Sequence, residues 1–131
     1  MDLKELRIGN LVYNIDGDGD KYSQPVLMVS GKEIVLGTKQ IPIYTLFNEF
    51  IQPIPITEDW LKRFGFEKKR NDYEFNSDLY NFWYLSHNKN ICVTELENQF
   101  SAQFFFEHIK YLHQLQNLYF ALTGEELTLN D

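Results

Sequence analysis

The chain has 131 residues, is 44% hydrophobic and 16% aromatic, and carries a net charge of −7. That length supports one folded domain with its own core, and that aromatic content excludes a disordered chain. The acidity opposes generic attraction to phosphate backbones, and a single cysteine, Cys92, excludes an internal disulfide.

The first half reads as strands. Leu6 to Tyr13 is mostly apolar around Gly9-Asn10, and Asp16-Gly17-Asp18-Gly19-Asp20 reads as a hairpin loop. Val26-Leu27-Met28-Val29 is a continuous apolar run, which predicts a strand covered on both faces. Turns are expected at Ser30-Gly31-Lys32 and Gly37-Thr38-Lys39, around a strand near Glu33 to Leu36. Pro42 cannot donate a ladder hydrogen bond, so the strand Ile41-Pro42-Ile43 belongs at a sheet edge or is irregular. Residues 51 to 56 form a stiff extended connector, because two prolines hold their predecessors in extended conformations.

Thr57 is placed to cap a helix over roughly residues 58 to 64. Its hydroxyl can accept a first-turn amide, Glu58 and Asp59 suit the positive end of the helix dipole, and Gly65 is a natural stop. Tyr73 and Phe75 alternate with polar neighbours, and Leu79 to Leu85 and Ile91 to Leu96 flank the turn His87-Asn88-Lys89-Asn90. An antiparallel hairpin or meander follows from that pattern. Phe104-Phe105-Phe106 precedes a terminal amphipathic helix. At 100° per residue, Tyr111, Leu112, Leu115, Leu118, Tyr119 and Leu122 form a core stripe. Lys110, His113, Asn117 and Phe120 lie on the opposite side, and Gly124 stops the helix.

The expected fold is α+β: an N-terminal antiparallel sheet that is strongly bent or forms an SH3-like partial barrel, a short central helix, and a C-terminal antiparallel hairpin with a packed terminal helix. The expected organisation is one domain over 1–131, with a β lobe at 1–50, the connector at 51–56 and an α+β lobe at 57–131. Neither a membrane-length apolar run nor a signal-peptide-like start is present in the sequence, so a cytoplasmic location is expected.

Chemistry-bearing patterns are few. Asp16-x-Asp18-x-Asp20 imitates the start of a calcium loop, but Lys21 and Leu27 stand where glycine and a bidentate glutamate are needed. His108 and His113 are five residues apart and cannot share a metal on one helix, and His87 has no partner cluster. Cys92 sits between Ile91 and Val93 and reads as a small buried hydrophobe. Glu95 and Glu97 form an acid pair of a kind that arises by chance among 19 acids. No nucleophile elbow and no phosphate loop occur. No catalytic residue, cofactor or metal is assigned.

Two readings from different classes follow. In the first, the protein is a non-enzymatic interaction module, meeting a protein partner or a second copy through His113, Asn117 and Phe120. In the second, Lys62, Arg63, Lys68, Lys69 and Arg70, interleaved with Phe64, Phe66 and Tyr73, hold nucleic acid by phosphate contact and stacking. The acidity of the chain as a whole weighs against the second.

The terminal stretch HQLQNLYFALTGEEL, from His113 to Leu127, resembles the C-terminal signature of a family of small uncharacterised proteins common in Bacteroidota genomes, prophages and phages. Leu6-Arg7-Ile8-Gly9-Asn10-Leu11-Val12-Tyr13 looks like that family's opening. Pro53 to Leu61, followed by Phe64-Gly65-Phe66-Glu67, looks like its central connector and helix. The resemblance implies an accessory protein of a mobile element or its host, in the bacterial cytoplasm. It carries no reaction and no site residues. The opening also resembles the first strand of SH3-like small barrels, a likeness of fold alone.

Overall fold

The computed structural model describes residues 5–29, 34–37, 42–45, 51–96 and 103–130. The expected turns at 30–32 and 38–39, and Glu97 of the acid pair, lie outside the described residues. The fold is α+β, with two antiparallel sheets and two helices among the described residues. The chain divides into two compact units, Met1–Pro55 with Tyr111–Asn117 and Ile56–Lys110 with Leu118–Asp131.

The first unit is built on β1 (Leu11–Ile15), β2 (Lys21–Val29), β3 (Ile34–Gly37), β4 (Pro42–Thr45) and β5 (Ile51–Pro53), in the order β4-β3-β2-β1-β5. Among the described strands the sheet is not closed into a barrel: β4 and β5 are its edges. Pro42 and Pro53 each fall on an edge strand of the described sheet, the setting in which proline's missing N–H is tolerated. Asp16 shapes the β1–β2 hairpin: its Oδ1 accepts the backbone N–H groups of Asp18 at 2.9 Å and Asp20 at 3.0 Å. Leu6, Val12, Val26, Ile34, Leu36 and Ile51 form the core.

Two expectations are corrected here. The first strand begins at Leu11, because Gly9 takes a φ of +95° and bends the chain ahead of it. Val26–Val29 is not covered on both faces: Val26 is buried, whereas Met28 and Val29 are 45% and 37% exposed. A β-bulge between Val26 and Met28 shifts the register against β3 and breaks the simple alternation. β3 is buried along its whole length.

The second unit carries α1 (Glu58–Arg63) and the meander β6 (Glu67–Lys69), β7 (Asp72–Asn76), β8 (Tyr80–Leu85), β9 (Asn90–Glu95) and β10 (Gln103–Phe106), in the order β10-β9-β8-β7-β6. Thr57 caps α1 as expected, its hydroxyl accepting the Trp60 N–H at 3.4 Å. Gly65, at φ +95°, ends the helix, and Phe66 N–H closes back on Leu61 O at 2.9 Å. Leu61, Phe64, Phe66, Tyr73, Phe82, Ile91 and Val93 are buried.

The terminal helix α2 (Leu112–Thr123) gives its first half to the first unit and its second half to the second. In the second unit, Tyr119 meets Phe75 edge-on at 5.6 Å and Phe82 at 5.1 Å. Leu112, Leu115 and Tyr119 are buried as the stripe predicts, but Tyr111 is 36% exposed. Tyr111 precedes the helix and bridges to Pro55, so helical phase does not govern it.

Candidate functional site

The side of α2 expected to face outward is instead engaged in its first two turns. His113 is 1% exposed, and its Nε2 lies 3.0 Å from Glu5 Oε2. The imidazole also stacks on Tyr111, with rings 6.0 Å apart and 12° from parallel. Its Nδ1 is buried with no hydrogen-bond partner among the described residues.

Asn117 is placed just as firmly. Its Oδ1 accepts from Arg7 Nε at 2.7 Å and from Asn10 Nδ2 at 2.9 Å, while its Nδ2 donates to Glu5 O at 2.8 Å. Asn10, fully buried, accepts the Arg7 N–H at 2.7 Å through its own Oδ1. Gln116 completes the group. Its Oε1 accepts the Leu11 N–H at 2.8 Å, and its Nε2 donates to Gly9 O at 3.2 Å.

These contacts give His113 and Asn117 a positioning role. They fasten residues 5 to 11 to the helix, and the Gln116 amide satisfies backbone groups that burial would otherwise leave short. Of the expected contact surface of His113, Asn117 and Phe120, the first is buried and the second hydrogen-bonds within the chain. His113 Nε2 and both amide atoms of Asn117 have partners within the chain, whereas His113 Nδ1 has none among the described residues. Phe120 is 39% exposed. Helical angle could not foresee this, because the partners lie more than 100 residues away in sequence.

Lys62 and Arg63 end α1, and Lys68, Lys69 and Arg70 occupy β6 and the turn after it. The aromatic half of the nucleic-acid reading does not follow. Phe64, Phe66 and Tyr73 are 1%, 4% and 1% exposed, so their faces are core surface. Arg63 lies over the Trp60 ring at 4.2 Å, and Lys69 pairs with Glu67 at 3.7 Å.

Cys92 is buried and its thiol is pushed up from the ordinary value of 9.0 by that burial, against a lowering contact from Thr94. A thiol held protonated is a poor nucleophile. Among the described residues, no three His, Cys, Asp or Glu side chains converge to hold a metal ion. His87 lies in the exposed turn after β8, and His108 follows β10 with its ring 6.0 Å from Phe106. Among the described residues no helix is long and apolar enough to cross a membrane.

The exposed surface that stands out is on β10. Phe104 and Phe105 are 51% and 57% exposed, adjacent, and on opposite faces of a strand paired only with β9 among the described strands. Phe105 registers with Cys92 and Phe104 with Val93. An aromatic run has high strand propensity, so a strand there was readable from the sequence; its position at the edge was not.

Comparison of the chain with protein families, curated proteins and solved structures finds no match.

Proposed function

We propose that the protein is a non-enzymatic interaction module, that its binding element is the β10 edge, and that the occupant of that edge is a second copy of the chain. The observation that carries this is the pair Phe104 and Phe105, each more than half exposed on an edge strand. An apolar edge with free ladder groups is a template for another strand, and proteins commonly blunt such edges with charge or proline. The strand Gln103–Phe106 has neither.

A second copy suits this edge for a reason of charge. In a chain of net charge −7, an uncharged strand is where two copies meet without opposed carboxylates. Antiparallel pairing about a two-fold axis normal to the sheet keeps like faces together. Phe105 then stands opposite its own counterpart, and Phe104 opposite the counterpart of Phe106. Cross-strand aromatic pairs of this kind stabilise a sheet by roughly 0.2–1 kcal/mol each, beyond the area they bury.

The setting we propose is the bacterial cytoplasm, as an accessory protein of a mobile element or its host. The nucleic-acid alternative keeps only its charges, because its aromatic residues are core.

Sedimentation over a range of concentrations tests the proposal. The wild-type chain should show reversible self-association, and Phe105→Glu should abolish it without lowering the melting temperature. A wild-type chain that stays monomeric at about 100 μM, or a variant that associates unchanged, would overturn it.

A further inference from the structure

The second unit contains a cavity of about 320 Å3 between the β7–β8 turn and the C-terminal end of α2. Phe75, Tyr80 and Tyr119 supply aromatic walls, and Asp78 and Glu125 supply carboxylates. None of the residues lining it is basic. No salt bridge joins Asp78 or Glu125 to a described residue.

The walls are held before any ligand arrives. Phe75 is fixed between Phe66 at 5.3 Å and Tyr119 at 5.6 Å. The turn bearing Asp78 is closed by Ser77 and Tyr80: Ser77 N–H and Oγ–H both donate to Tyr80 O at 2.8 Å, and Tyr80 N–H donates to Ser77 Oγ at 3.1 Å. Glu125 is set by its own N–H, which donates to Thr123 Oγ1 at 3.1 Å, while that hydroxyl donates to Tyr119 O at 2.7 Å. The Ser77 and Thr123 hydroxyls are thus engaged in structure. The aromatic rings and the two carboxylates are the groups through which the cavity can hold a ligand.

We propose that this cavity is a binding site for an organic cation, an alkylammonium group seated among the rings of Phe75, Tyr80 and Tyr119 and faced by the carboxylates of Asp78 and Glu125. Ring faces attract a cation through their quadrupole, and they favour a weakly hydrated organic cation over a small inorganic one. The carboxylates add charge complementarity and a hydrogen-bond acceptor for an N–H. The Tyr119 hydroxyl reports the same field. Burial raises its pKa from the ordinary value of 10.0, and the charges of Glu125 and Asp78 raise it further, against a lowering contact from Thr123. The volume admits a small amine or the end of a lysine side chain.

The test is an amide-resolved NMR titration of the full chain with butylammonium, with tetramethylammonium, and with a short blocked peptide containing one lysine, each against potassium chloride at equal ionic strength. Saturable shifts should appear at Ser77, Asp78, Tyr80 and Glu125 with the organic cations and not with potassium. Tighter binding of the peptide identifies a partner's lysine as the source; tighter binding of butylammonium identifies a free amine. Asp78→Asn with Glu125→Gln, both at exposed positions, should weaken binding at least about tenfold. Tyr80→Leu, which keeps both charges, should weaken it as well. The site is refuted if no organic cation gives saturable shifts by about 50 mM, if potassium reproduces them, or if affinity survives either substitution. The site is independent of the β10 edge, so Phe105→Glu should leave these shifts in place.

Discussion

Gln116 Oε1 accepts the backbone N–H of Leu11 at 2.8 Å in a fully buried bond, joining two residues 105 apart in sequence. The same side chain donates to Gly9 O at 3.2 Å. One amide thus serves a donor and an acceptor of the strand entry. Replacing it by an apolar residue of similar size leaves both backbone groups short. We expect Gln116→Leu to lower stability by roughly 1–3 kcal/mol, the penalty for unsatisfied buried polar groups. Urea denaturation checks this. An unchanged midpoint would mean that water replaces the lost partners.

Leu115 is fully buried on α2. Leu115→Ala removes apolar contact and leaves a cavity, and should cost about 2–5 kcal/mol. Removing residues 109 to 131 should be worse, because Ile109, Leu112, Leu115, Tyr119 and Leu127 are all buried. The expected product aggregates or lacks a cooperative melt. A truncated chain that melts cooperatively would show that the helix is an appendage.

Gly65 and Gly9 separate backbone strain from side-chain crowding. Both have φ near +95°, where an alanine costs roughly 1–2 kcal/mol. A Cβ on Gly9 meets nothing within 4 Å. On Gly65 it would lie 2.6 Å from Asn130 Nδ2 and 3.3 Å from Phe75 Cε2. The Asn130 amide can swing aside, but Phe75 is held by Phe66 and Tyr119. Gly65→Ala should therefore destabilise more than Gly9→Ala in thermal melts. Equal losses would show that Phe75 yields easily.

Local signals made much of this fold legible. Thr57, the acids after it and Gly65 mark α1 within a single short window, and the leucine spacing marks α2. Pro42 placed its strand at an edge through the chemistry of one residue. What escaped was set by distant partners or by register. His113, Gln116 and Asn117 look like a solvated helix face because their partners Glu5, Leu11, Arg7 and Asn10 are remote in sequence. Val26–Val29 looked fully covered because a bulge leaves no mark in an apolar run. Phe104 and Phe105 carried strand propensity but no sign that their strand would be the last of its sheet.

Alkaline pH should weaken the fold, with a predictable sign. Burial raises the pKa of Tyr73 above 10.0, and Glu58 and then Asp59 raise it further. Burial likewise raises Tyr84 and Tyr119, and it lifts the Cys92 thiol above 9.0. In each case the folded pKa lies above the unfolded one. The contribution is complete below the unfolded pKa and is lost as pH rises through the folded pKa. Stability should therefore hold from neutral pH to about pH 9 on account of these groups, then fall progressively above it as the unfolded chain ionises first. Tyr73→Phe removes one such group, so it should reduce the slope of unfolding free energy against pH in the alkaline limb. Urea denaturation at a series of pH values from 7 to 11 measures both slopes. A wild-type stability that is flat or rising above pH 10, or a Tyr73→Phe slope equal to that of the wild type, would show that the Tyr73 phenol meets solvent on ionising.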